Sequence, residues 1–194
     1  MGALAASVTL VVAASSEAGR IATSIFGASL TLLFGISALY HRVNWAPPWR
    51  QRMRRMDHAA IFVLIAGSYT PFCMLLPPSA KCMQLTVMWT GALLGIAVAV
   101  FWSRAPKILN VILYVAFGWI VLGFLPSLRR VVYTSEIALL TLGGVAYSVG
   151  AIIYALRRPD PLPTVFGYHE LFHALTIVGA IFHFVAVTEA VRRL

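Results

Sequence analysis

The stretch His169–Ala190, HELFHALTIVGAIFHFVAVTEA, opens like a zinc-protease signature and then stays apolar for about the 20 residues that one membrane crossing takes. Three readings compete for its first turn: a protease HExxH, a lipid-facing zinc site of another kind, or two histidines that cap a buried helix. The rest of the chain shares the character of this stretch. Its 194 residues are 60% hydrophobic and 11% charged, and the apolar blocks are separated by short basic or proline-bearing breaks. That composition predicts an all-α integral membrane protein.

Seven apolar segments can be counted, roughly 2–15, 21–41, 57–76, 84–102, 108–127, 132–156 and 169–190, and all but the first are long enough to span. Together they predict a single seven-helix membrane domain over 1–194, with no soluble domain and no internal repeat of the inverted-transporter kind. The first block lacks a basic leader and reads as a short or truncated span rather than a signal peptide. Cys73 and Cys82 have no metal or disulfide spacing and read as free thiols.

A net charge of +9 suggests nucleic acid in a soluble domain, but here nearly all Lys and Arg lie between apolar blocks, so the charge reads as topology and no nucleic-acid partner is expected. Arg42, Arg50, Arg52, Arg54, Arg55, Arg104, Lys107, Arg157 and Arg158 fall on the side of the N-terminus. Arg20, Lys81, Arg129, Arg130, Arg192 and Arg193 fall on the other. The positive-inside rule places the N-terminus in the cytoplasm. Trp45 and Trp49 beside the Arg50–Arg55 cluster read as an interfacial belt, and GALLG at 91–95 as intramolecular helix packing.

Ionisable side chains inside a bilayer cost several kcal/mol unless they are paired, metal-bound or hydrated, so each is a functional candidate. They are His41, Asp57, His58, Glu136, His169, Glu170, His173, His183 and Glu189. The topology brings the end of the second span and the starts of the third and seventh to one leaflet, so His41, Asp57, His169 and His173 are expected at one depth. His169 and His173, at i and i+4, share a helix face about 6 Å apart, and His41 supplies a third nitrogen. Three protein ligands leave the fourth tetrahedral position of zinc for a water, the arrangement of catalytic sites. Asp57 is then placed to hold or deprotonate that water, and Ser37, one turn before His41, to hydrogen-bond it or a substrate oxygen. His58 points elsewhere. His183, about 15 Å further along its helix, is too deep to share the site and is expected to hydrogen-bond in helix packing.

SALYH (Ser37–His41), DHAAIFVLIAGSYTPF (Asp57–Phe72) and HELFHALTIVGAIFHF (His169–Phe184) resemble the three signature blocks of the bacterial hemolysin III proteins. That family belongs to the progestin and adipoQ receptor superfamily, with the adiponectin receptors, and to a broader set of candidate membrane metallohydrolases that includes alkaline ceramidases. The resemblance implies a seven-helix bundle with its N-terminus inside, in a bacterial inner membrane. It also implies zinc on His41, His169 and His173 near the cytoplasmic leaflet, contacted by Asp57 through water. Two departures stand out. Relatives usually have a longer N-terminal segment, so an upstream part is expected to be missing. They also tolerate other residues at Glu170, which argues against Glu170 as the base.

A protease would use Glu170 as base and Asp57 as ligand, but leaves His41 without a role. A hydrolase acting on a lipid amide or ester in a bilayer-facing cavity fits the geometry better. Two alternatives remain. The zinc can be structural, in a receptor or membrane-homeostasis factor; or, as the family name suggests, the protein can be a pore-forming cytolysin, although few polar residues are available to line a channel.

Overall fold

The computed structural model describes residues 2–102 and 105–194; Arg104, one of the charges counted above, lies outside them. Among the described residues there are seven helices and no strand. They are α1 (Gly2–Ala13), α2 (Glu17–Arg42), α3 (Pro47–Met74), α4 (Pro78–Phe101), α5 (Lys107–Leu128), α6 (Thr134–Leu156) and α7 (Tyr168–Val191). Within α5 the backbone is α-helical to Gly118, tightens to a 3-10 helix over Trp119–Phe124 and returns to α-helix for Leu125–Leu128.

The helix starts follow from local chemistry. Ser16 caps α2 by accepting from the Gly19 N–H at 2.9 Å. α3 and α4 begin on prolines, whose missing N–H and fixed φ suit the first turn. In α6 and α7 a glutamate three residues in reaches back to a free backbone N–H: Glu136 accepts from Tyr133 at 2.8 Å and Glu170 from Gly167 at 3.0 Å.

Five helices, α2, α4, α5, α6 and α7, are long and apolar enough to cross a membrane by length and composition. The sequence predicted six. The difference is α3, which has 28 residues but starts ten residues before the expected segment 57–76. It takes in Arg50, Arg52, Arg54 and Arg55, so the basic cluster expected in a loop is helical. α1, with 12 residues, is the short block expected. Large apolar side chains such as Leu93, Leu94 and Ile152 face outward, as lipid-facing positions do. Their number identifies the surface as one made for hydrocarbon.

α3 lies between α2 and α4, α6 runs along α7, α5 bridges α4 to α6, and α7 closes the ring against α2 and α3. α1 packs outside on α2. Small residues set the closest approaches: a Cβ on Gly67 would strike the Ser29 hydroxyl, and one on Gly95 would strike the Phe62 ring. Gly91 is covered by Phe117, so both glycines of GALLG serve packing within the chain, as expected. Phe26, Leu30, Leu33, Leu64 and Phe72 form the core on the α2–α3 side.

Candidate metal centre

His41 stands in the last turn of α2, and His169 and His173 in the first two turns of α7, which the ring of helices brings to the same end of the bundle. One nitrogen from each of the three lies within 4.8 Å of the others. The ring centroids are 5.0 Å apart for His41 with His169 and with His173, and 4.6 Å for His169 with His173. Nε2 of His169 and Nε2 of His173 are 3.1 Å apart. Two nitrogens about 2.05 Å from one tetrahedral zinc would be about 3.3 Å apart. The His169–His173 spacing is therefore close to that of two ligands of a zinc-sized ion, and the three histidines form a group that could hold a metal ion.

Asp57, on α3, reaches the Ser37 hydroxyl for a hydrogen bond and lies in electrostatic range of His41. Both line a cavity of about 500 Å³ with the three histidines. Asp57 is not among the groups near enough to ligate directly. The cavity runs from this end inward between α2, α3, α5, α6 and α7 as far as His183, with walls of Leu33, Phe34, Ile61, Leu64 and Phe172 among others.

The other candidates sort clearly. His58 Nδ1 is 2.9 Å from the Tyr114 hydroxyl; it lines the same cavity but is not one of the three clustered histidines. His183 Nε2 lies 3.3 Å from the Leu140 carbonyl oxygen, tying α7 to α6 as expected of a packing residue. Glu170 is exposed and its carboxylate is engaged at the helix N-terminus with Gly167, a capping role that takes it out of the base position a protease requires. Glu136 is fully buried and paired with Arg193 at 2.7 Å at the opposite end of the bundle, and Glu189 accepts from Ser135 Oγ at 3.3 Å. Cys73 is buried and Cys82 exposed, both free thiols as expected.

Sequence reasoning missed the aromatic wall of the site. Tyr154 of α6 packs its ring on His169 at 5.7 Å and on Phe172 at 5.0 Å, and Lys107 Nζ sits 3.5 Å above the Tyr154 ring, a cation–π contact. Lys107 was read only as a topology charge. The available signal was the seven-residue spacing of Tyr147 and Tyr154, two helical turns, which sets both on one face of α6.

Fold and site together define a helical membrane protein with a three-histidine cluster at the mouth of an internal cavity. The chain belongs to the haemolysin-III related family, which matches residues 1–184. It is similar to the hemolysin-3 homolog of Bacillus subtilis, 32% identical over 160 residues that cover 81% of this chain and 71% of that one. Hemolysin-3 of Bacillus cereus is 30% identical over 168 residues, 86% and 74% of the two chains. The adiponectin receptor protein of Drosophila melanogaster is 27% identical over 191 residues, 85% of this chain and 42% of that one.

Proposed function

We propose that the protein is a zinc-dependent hydrolase of a lipid amide or ester, ceramidase-like in its reaction, in a bacterial cytoplasmic membrane. All seven helices belong to the membrane domain, the N-terminus is inside, and the three histidines lie in the cytoplasmic leaflet. One observation carries the reading: three histidine nitrogens within 4.8 Å of one another, beside a carboxylate, at the mouth of a largely apolar cavity of about 500 Å³.

His41, His169 and His173 would hold the ion. When bound, zinc supplies Lewis acidity that polarises a carbonyl oxygen and makes water a better nucleophile near neutral pH. Asp57 holds the proton that the attacking water gives up and returns it to the leaving nitrogen or oxygen. Ser37 donates to the Asp57 carboxylate and fixes its orientation. The apolar walls accept the acyl chain and exclude bulk water, which strengthens these polar interactions.

The test is metal content by mass spectrometry on detergent-purified wild type, His41→Ala, His173→Ala and Glu170→Gln. About one zinc per chain is expected, lost in both histidine variants and kept in Glu170→Gln. A panel of lipid amides and esters is then assayed for release of fatty acid. Zinc with no turnover on the panel favours a structural ion in a receptor or homeostasis factor, and absence of metal in the wild type sinks the reading.

A further inference from the structure

The far half of the cavity contains more polarity than an acyl chain needs. Ser68, Tyr69, Ser148 and Thr176 all line it, and each spends its hydroxyl on a backbone carbonyl: Leu64, Gly118, Gly144 and Phe172 in turn. The Ser148 oxygen also accepts from Trp119 Nε1 at 2.8 Å. Tyr147 lines the same region, deep in the bundle, and its hydroxyl has no hydrogen-bond partner among the described residues. Beside it, His183 Nδ1 is buried and has no partner among the described residues.

The tyrosine is held as a fixed feature. The His183 ring meets the Tyr147 ring edge-on at 5.3 Å and 80°, while its Nε2 is tied to the Leu140 carbonyl. A Cβ on Gly179 would come within 2.9 Å of the Tyr147 ring, so glycine there lets the ring lie on the α7 backbone. Tyr147 is half-buried and lines the cavity, so an oxygen on a bound chain can complete its unused donor.

We infer that the cavity takes a lipid with two polar groups: a carbonyl at the histidines and a hydroxyl or oxo oxygen further along the chain, hydrogen-bonded by Tyr147. The inference rests on the cavity being the lipid site of the proposed hydrolase. Tyr154 marks the depth of His169, and Tyr147 is seven residues away, about 10 Å along the helix. An extended acyl chain advances about 1.25 Å per carbon, given C–C bonds near 1.5 Å, so the second oxygen belongs at about the ninth or tenth carbon.

The experiment is competition for radiolabelled octadecanamide on the detergent-purified full chain, with 10-hydroxyoctadecanamide and 2-hydroxyoctadecanamide as competitors. The isomers have the same composition, so partition into detergent affects both alike. Wild type is expected to prefer the 10-hydroxy isomer by about five- to tenfold, the worth of one buried hydrogen bond. Tyr147→Phe, which removes only the hydroxyl, is expected to bind octadecanamide unchanged and to lose the preference. Equal competition by the isomers in wild type, a preference that survives in Tyr147→Phe, or no competition by either overturns the inference. Binding needs no turnover, so a failed hydrolysis assay leaves this result standing, and equal competition leaves the hydrolase reading intact.

Discussion

Arg193→Met should destabilise the protein more than any other change at the end of the bundle opposite the histidines. The Glu136 carboxylate is fully buried, and one of its oxygens, Oε2, takes both the Arg193 Nη2 donor at 2.7 Å and the Tyr133 backbone N–H at 2.8 Å. The other oxygen has no partner among the described residues. The guanidinium lies 3.9 Å over the Tyr133 ring and is 21% exposed. Removing one member of a buried pair costs about 3–5 kcal/mol because the survivor keeps its charge without compensation. Partial exposure of the arginine screens the pair, so the lower end, about 3 kcal/mol, is expected. At about 2–4 °C per kcal/mol for a chain of this size, Tm in detergent falls by about 6–12 °C. Glu136→Gln on top of Arg193→Met removes the uncompensated charge, keeps an amide oxygen for the Tyr133 N–H, and recovers more than half of the loss. Thermal unfolding followed by size-exclusion chromatography of the two variants measures both effects. A single variant within 2 °C of wild type, or a double variant as unstable as the single, would refute the reasoning.

Asp57→Asn is expected to keep its zinc and lose at least about 100-fold in turnover on whichever lipid amide proves to be a substrate, since a proton carrier typically contributes 10²–10⁴-fold; zinc lost along with activity would make Asp57 a ligand instead. Gly143→Ala sets a methyl into the His183 ring and should cost about 1–3 kcal/mol by overpacking, whereas Gly118→Ala meets open space and should leave Tm within about 2 °C. Chelation of the metal should speed amide exchange at the end of α2 and the start of α7 while leaving the Glu136–Arg193 end protected; uniform loss of protection would mean that the ion holds the whole bundle. Purified protein in dye-loaded liposomes should release no dye above the empty control, and dose-dependent release would restore the pore reading.

The histidine triad was legible because two independent rules agreed on it. The i,i+4 pair in HELFH fixed one helix face, and the alternation of spans brought His41 to the same end, where the structure has its ring 5.0 Å from both others. Asp57 and Ser37 came with it through the same topology. The extent of α3 was less legible, because the apolar pattern starts at Asp57 while the helix starts at Pro47: arginines are good helix formers, and two prolines supply the first turn. Nothing in LYVAFGWIVLGF (Leu113–Phe124) marks the change from α to 3-10 inside α5. Part of its cause is local, since Pro126 has no N–H for the Leu122 carbonyl and the Leu125 N–H takes it instead; the rest lies in other helices, where the Gly118 carbonyl accepts from the Tyr69 hydroxyl of α3 and Trp119 donates to Ser148 of α6. The two cross-helix contacts join residues remote in sequence, and no local pattern could carry those.

The same distinction explains why the chemistry at the mouth of the cavity was readable and its depth was not. Ligands betray themselves by type, since a histidine or aspartate in hydrocarbon demands a reason. Tyrosine does not, because a phenol in a membrane helix is ordinary at either interface. Tyr147 stands out only after its neighbours' hydroxyls have each been assigned a partner and its own is left over. His183 was read as a packing residue and does pack, through Leu140; its second nitrogen adds to the unspent polarity beside Tyr147. A cavity made only to hold an alkyl chain would do better with phenylalanine and leucine at those two positions, which would present no unused donor to the chain and bury no unused nitrogen. Their presence is therefore an argument about the ligand, and specificity would follow from the second oxygen rather than from the carbonyl that the histidines face.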